Sequence, residues 1–228
     1  MSVELLNCDC MDFMKEQPDN SFDLACVDPP YGINVNVSMG RRKGQKSSGY
    51  HKFHGGDKEA PDCSYFDELK RVSKNQIIWG ANHFIDNFPF MCNSPCWVMW
   101  DKGFSEDVTF AQFELAWTSF KTTCKKFDKS PNDNGRIHPT QKPVKLYDWL
   151  LSNYAKPDQR ILDTHLGSGS SAIAAHYFGC DFVGMEIDKD YYEAACKRFK
   201  RETAQASLFD NEPVDSERCD KTIEMFEG

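Results

Sequence analysis

Two stretches of this sequence combine residue types that can do chemistry. The first is Asp28-Pro29-Pro30-Tyr31, which closes the apolar run SFDLACV at 21–27. The prolines fix their own φ angles, and Pro29 keeps Asp28 extended. The turn is therefore stiff, with the Asp28 carboxylate and a main-chain carbonyl able to point the same way. Both are acceptors, and together they can receive both hydrogens of a planar NH₂ group. On a nucleobase such a nitrogen is a poor nucleophile, because its lone pair is delocalised into the ring. Two acceptors out of plane favour a pyramidal nitrogen and free the lone pair for attack. Positioning and fixed dipoles then supply most of the catalysis, and no covalent enzyme intermediate is needed. Tyr31 offers a flat face to a base swung out of a duplex. Taken alone, the same four residues also read as a plain turn after a strand.

The second stretch is Asp163-Thr164-His165-Leu166-Gly167-Ser168-Gly169-Ser170-Ser171. Its glycines let the chain turn sharply and approach a ligand closely. The helix expected after it presents free amide donors. Glu186 ends the next apolar run, 19 residues beyond Gly167, where an acid can hold two ribose hydroxyls. Neither GxGxxG nor GxxxxGK[ST] is present, so a dinucleotide and a nucleoside triphosphate are disfavoured. A nucleoside without phosphates fits better, and S-adenosylmethionine is the common one.

The elements that must position these groups follow from apolar periodicity. SFDLACV (21–27), NQIIWG (75–80), CWVMWD (96–101), FELAWTS (113–119), RILD (160–163) and DFVGMEID (181–188) read as strands. SYFDELKRVS (64–73), PVKLYDWLLSNYA (143–155), SSAIAAHYFG (170–179) and DYYEAACKRFKRE (190–202) read as helices, with Pro143 in a first turn and Gly179 as a stop. Strand, glycine turn, helix, strand, helix is the pattern of a doubly wound α/β sheet, Rossmann-like and mostly parallel. Residues 32–60 and 118–137 read as two polar, basic loops on a domain spanning 1–203. Residues 204–228 read as an acidic, flexible tail.

Composition sets further bounds. The 228 residues suit one α/β domain. No apolar run approaches the roughly 18 residues of a membrane span, and the N-terminus does not read as a secretory signal. Ten cysteines then point to reduced thiols in a cytoplasmic protein. Cys8/Cys10 and Cys92/Cys96 lack a matching second pair, so no metal is expected. The net charge of −8 argues mildly against nucleic acid, but the charge is uneven. Arg41, Arg42, Lys43, Lys46, Lys52 and Lys58 share 32–58 with Asp57 alone, while residues 202–227 carry eight acids. Lys121, Lys125, Lys126, Lys129 and Arg136 make the second loop basic. Arg41, Arg42, Lys43, Lys46, Lys125 and Lys126 are the candidate contacts to DNA, mostly to phosphate; solvated surface charge is the alternative.

DPPY, HPTQKP (138–143), DTHLGSGS (163–170) and GMEID (184–188), in this order, resemble the permuted, β-group DNA amino-methyltransferases. IIWGANHF, CWVMWDKG and FELAWTSF look like the small methylases of phages and prophages. The likeness spans roughly residues 3–203. It implies the fold of the S-adenosylmethionine-dependent methyltransferases with a circularly permuted motif order. Asp28, Pro29, Pro30 and Tyr31 would hold the target base. Asp163, His165, Gly167, Ser168, Gly169 and Ser170 would line the methionine end of S-adenosylmethionine, and Glu186 its ribose. Asp9 would lie near its adenine, and Thr140 and Lys142 near its methionyl carboxylate. Thr164-His165 departs from the commoner Pro-Phe. Asp28, where cytosine-directed relatives more often carry Ser, favours N6 of adenine in double-stranded DNA. The alternatives are N4 of cytosine, a glutamine amide or RNA as acceptor, and an inactive DNA-binding homologue. A second copy of the chain is a candidate partner. Gln205-Ala206-Ser207-Leu208-Phe209 resembles the short peptides that dock on a sliding clamp.

Overall fold

Short apolar runs that stop at Gly, Pro or Asp are too brief for helices, and here they line up in one sheet. The computed structural model describes residues 1–33, 57, 59–88, 93–105, 111–131, 136–138 and 140–207. Among them, eight strands lie in the order β1-β8-β7-β2-β3-β5-β4-β6. The strands are β1 (Val3–Leu6), β2 (Leu24–Val27), β3 (Gln76–Trp79), β4 (Trp97–Asp101), β5 (Phe113–Thr118), β6 (Lys125–Asp128), β7 (Arg160–Asp163) and β8 (Asp181–Met185). The helices are α1 (Cys10–Glu16), α2 (Cys63–Val72), α3 (Val144–Tyr154), α4 (Ser170–Phe178) and α5 (Lys189–Ser207). β1, β8, β7, β2 and β3 are mutually parallel, as are β4 and β6, and β5 runs against both of its neighbours.

The central strands are buried on both faces, which is why they read as continuous apolar runs. Leu24, Cys26, Ile77, Trp79, Ile161 and Phe182 pack with α3 and α4 residues such as Leu146, Leu150 and Ala174. Ala25, Val27, Ile78, Leu162 and Val183 face Phe66, Leu69 and Val72 of α2 on the other side. From β7 the chain crosses through α4 to β8; from β2 it crosses through α2 to β3, the opposite way. The topological switch point thus falls between β2 and β7, where ligands bind outside the strand ends.

Several expectations need correction. Residues 118–137 are not a loop throughout, because Lys125–Asp128 forms β6 on the outer edge of β4. Its burial alternates, with Phe127 packed on Trp149 at 5.4 Å between ring centroids. The intervening charges mask a strand that has only one face to bury, and lysines are common on such edges. β1 and α1 were not expected as elements; β1 is four residues long and gains its order from pairing with β8. Pro143 is the cap of α3 rather than part of its first turn. The backbone of α5 continues to Ser207, past the expected start of the tail at 204. No helix among the described residues is long and apolar enough to cross a membrane.

Candidate active site

Asp28 follows β2 without a gap, beside β3 on one side and β7 on the other. The Tyr31 hydroxyl donates to Asp28 Oδ1 at 2.7 Å, and Lys142 Nζ donates to Oδ2 at 2.5 Å. The amides of Tyr31 and Gly32 both donate to Asp57 Oδ1, at 2.5 and 2.9 Å, which ties the turn down. The Tyr31 ring stacks on His83, with centroids 5.0 Å apart and planes 14° from parallel. It also lies directly against Gly80, where an added Cβ would come within 2.0 Å of the ring. Gly80 has φ +71°, so this contact and this backbone both call for glycine.

An ionic chain continues from Asp28. Lys142 Nζ also meets Glu114 Oε2 at 2.9 Å, and Glu114 Oε1 meets Lys102 Nζ at 2.6 Å. The Lys142 side chain is only 3% exposed. Burial pushes the Asp28 carboxyl up from its ordinary value, and the Lys142 ammonium pulls it back. Glu114 resists its own burial because two ammonium groups, first Lys142 and then Lys102, hold it down to about 2.

The glycine loop lies at the end of β7. Asp163 accepts from Ser171 Oγ at 2.5 Å and from the His165 amide at 3.1 Å, so it folds the loop back onto α4. With no cation touching it, burial raises its carboxyl to about 7. Glu186 accepts from the amides of Gly167 and Asp188, both at 2.9 Å. Burial raises it as well, against the pull of those amides. Gly167 and Gly169 have φ +53° and +75°. The Gly169 Cα faces Ala195, so α5 packs close behind the loop. Ser168 and Ser170 share a hydrogen bond at 3.1 Å between their hydroxyls. Thr164 Oγ1 bonds both Tyr65 of α2 and His165 Nδ1, at 2.7 and 2.9 Å. His165 is partly buried, edge-on to Tyr65, and desolvation lowers it to about 4. Asp9 caps α1, accepting from the Met11 amide at 2.7 Å.

The HPTQKP segment divides its residues. His138 is buried against Tyr191 and Thr140 is exposed, the two joined at 3.0 Å through His138 Nδ1. Lys142, expected near the methionyl carboxylate, has its ion pairs with Asp28 and Glu114. Residues that sequence reasoning missed are Glu114, Lys102, Gly80, His83 and Arg198. Arg198 is 5% exposed and donates to the Ser168 carbonyl at 2.9 Å and Ser170 Oγ at 2.8 Å, bracing the loop from behind. A signal for it existed: Tyr191, Ala195 and Arg198 share one helical stripe whose other members are buried. Glu114 is likewise an acid inside an apolar strand.

Of the expected DNA contacts, Arg41, Arg42, Lys43 and Lys46 lie outside the described residues, as do Leu208 and Phe209 of the expected clamp peptide. Lys125 donates to Asn153 at 2.5 Å, and Lys126 is paired with Asp101 and Asp128 at 2.9 and 2.7 Å.

Comparison with known proteins decides the family. The model of the N6/N4 DNA methylase family matches residues 78–197. This chain belongs to that family. The methylase is 24% identical to the type II methyltransferase M.HinfI of Haemophilus influenzae, over 86% of this chain and 68% of that one. It is 24% identical to the type II methyltransferase M2.MboI of Moraxella bovis, over 83% and 85% of the two chains. Its fold matches M1.HpyAVI in complex with SAM, with TM-score 0.58 and 18% identity over 86% of this methylase and 98% of the neighbour. It also matches the cytosine-N4-specific PvuII DNA methyltransferase, with TM-score 0.60 and 13% identity over 93% and 94%.

Proposed function

We propose that this DNA methylase moves the methyl group of S-adenosylmethionine to the N6 amino group of adenine in double-stranded DNA. One observation carries the reading: the acidic turn after β2 and the glycine loop after β7 end paired neighbouring strands at the switch point. A methyl donor held by one loop would therefore face a base held by the other.

The groups beside the glycine loop suit a nucleoside without phosphates. A Cβ on Gly167 would meet nothing closer than the His165 carbonyl at 3.9 Å, so the backbone can be approached closely there. Glu186 takes one amide on each oxygen and keeps acceptor capacity for ribose hydroxyls. Arg198 directs its donors at Ser168, Ser170 and Glu202, not outward as a phosphate grip would require. In this reading Glu186 holds the ribose and Asp9 lies toward the adenine. Asp163, His165, Gly167, Ser168, Gly169 and Ser170 shape the methionine end, with Thr140 nearby. When bound, the cofactor supplies an electrophilic sulfonium methyl.

Asp28 and a main-chain carbonyl of the turn take the two hydrogens of the target amino group. Asp28 Oδ1, which now accepts the Tyr31 hydroxyl, becomes the acceptor for the base. Tyr31 presents its ring to the base in place of His83, and Pro29 and Pro30 keep the turn rigid. An acid at position 28 supports adenine over cytosine, following the pattern of similar enzymes. Lys125 and Lys126 are proposed to contribute to the phosphate-facing surface, alongside Arg41, Arg42, Lys43 and Lys46. A second copy of the chain, and a clamp contact through Gln205–Phe209, belong to the same reading.

Long-read sequencing of DNA from cells expressing the protein tests it. N6-methyladenine in a fixed sequence context is expected. N4-methylcytosine would transfer the reading to the other base, and no methylation of either would end it. Asp28→Ala should reduce transfer about 1,000-fold or more, as for loss of a group aimed at the reacting atoms. Cofactor binding, followed by calorimetry, should persist.

A further inference from the structure

We propose that Glu114, acting through Lys142, is a positioning residue that fixes the orientation and charge of Asp28. The inference rests on the functional reading above, in which Asp28 takes the target amino group.

Four charges alternate along a line: Lys102, Glu114, Lys142 and Asp28, with contacts of 2.6, 2.9 and 2.5 Å. They come from four separate places: the end of β4, the start of β5, the segment before α3 and the end of β2. An ammonium has three donors. Lys142 directs them at Asp28 Oδ2, Glu114 Oε2 and, at 3.2 Å, the Tyr31 hydroxyl. Its Nζ also sits 5.2 Å from the centre of the Trp79 ring. A buried ammonium so surrounded has one place to be. It occupies Oδ2 of Asp28, which leaves Oδ1 as the oxygen that can turn to a base. Glu114 holds Lys142 in that place from the far side.

The charges facing Asp28 set the direction of each perturbation. Among the described residues they are Lys142 from the segment before α3, Glu114 from β5 and Asp163 from β7; Tyr31, Tyr147 of α3 and Cys26 of β2 are neutral neighbours. Lys142 favours the carboxylate form of Asp28, and Glu114 opposes it. Removing the Lys142 charge therefore makes Asp28 harder to ionise. Removing the Glu114 charge makes it easier, but frees Lys142 to wander.

The test is the pH profile of kcat/KM for methyl transfer to DNA by wild type, Lys142→Met and Glu114→Gln. In Lys142→Met the acid-side midpoint should rise by about one pH unit, and in Glu114→Gln it should fall, since such midpoints report the free enzyme's essential acid and base. In both, kcat should drop about 10-fold or more. Affinity for S-adenosylmethionine, measured by calorimetry, should stay within about 3-fold of wild type, well under the 1.4 kcal/mol of a tenfold change. Glu114→Asp, which keeps the charge, should restore the wild-type midpoint. Should Lys142→Met not fold, the Glu114 pair still decides. Midpoints that stay put or move together would overturn the inference while leaving an active enzyme. A Lys142→Met whose only defect is cofactor affinity would also overturn it. A wild-type protein that methylates no DNA would end the functional reading and this inference together.

Discussion

Around the glycine loop, most side-chain partners come from one stretch of sequence, residues 163 to 202. Asp163 meets Ser171, Glu186 meets Gly167 and Asp188, and Arg198 meets Ser168 and Ser170. Around Asp28 the partners are far apart in the chain: Tyr31, Gly80, Lys102, Glu114 and Lys142. The two acids of the loop are bonded to amides and a hydroxyl, and burial raises both. The acid of the turn has an ammonium against it. In the loop, neutral donors alone satisfy the buried carboxylates of Asp163 and Glu186. A carboxylate that must stay ionised beside buried groups needs a counter-charge, and the sheet brings one in from another strand.

Among the residues that support the two halves, the largest departure should come from Gly80→Ala, which attacks the Asp28 side alone. The new methyl would collide with the Tyr31 ring, and φ +71° would be strained. Turnover should fall about 100-fold or more, as displacements near 1 Å do, and stability by about 1–3 kcal/mol. Cofactor affinity should change little. Single-turnover kinetics with a urea melt would show this, and near-normal turnover would mean that Tyr31 need not stay where it is.

Arg198→Met attacks the other side. It removes a buried donor from the Ser168 carbonyl and Ser170, a loss of about 1–3 kcal/mol. Calorimetry should show cofactor affinity about 10-fold weaker, with the acid-side midpoint of turnover unmoved. A shift in that midpoint would mean the two halves are electrostatically coupled.

The smallest effect is in the response of stability to pH, because opposing groups offset each other. His138, buried, and His165, partly buried, are lowered by desolvation to about 4 from 6.5. They bind fewer protons folded than unfolded, so the stability they lend above pH 6.5 is lost as pH falls toward 4. Asp163 is raised from 3.8 to about 7. It binds more protons folded, so its contribution is full below its unfolded value and fades as pH rises through 7. Asp163→Asn removes that offset. Its stability should therefore fall more steeply than wild type between pH 7 and 5, by roughly 1–2 kcal/mol. Denaturant melts at the two pH values measure the difference, and equal slopes would show that Asp163 does not titrate in this range.

The sequence made the parallel core legible because its strands are buried on both faces and each ends at a glycine, proline or acid. It hid β6, whose exposed lysines look like loop, and β1, which is ordered by pairing with β8 at the other end of the chain. The acidic turn and the glycine loop were visible as motifs. The partners of Glu114 were not, because they depend on the pairing of β5 with β3 and β4, and register across distant strands is not written in local spacing. Lys142 was noticed but its ion pairs with Asp28 and Glu114 were not, for the same reason: HPTQKP says nothing of which strand end it will reach.

The reversal of β5 has a consequence for how such a molecule can diversify. In the parallel strands, the carboxyl ends face the crevice; in β5 it is the beginning that does. Asp101 pairs with Phe113, and the Lys102 amide donates to the Gln112 carbonyl, so the paired ends of β4 and β5 lie at the same rim as the turn after β2. Residues inserted or removed between Lys102 and Gln112 leave the ladder beneath in register. The scaffold thus permits exchange of sequence at a rim set by the strand that also anchors the charge chain.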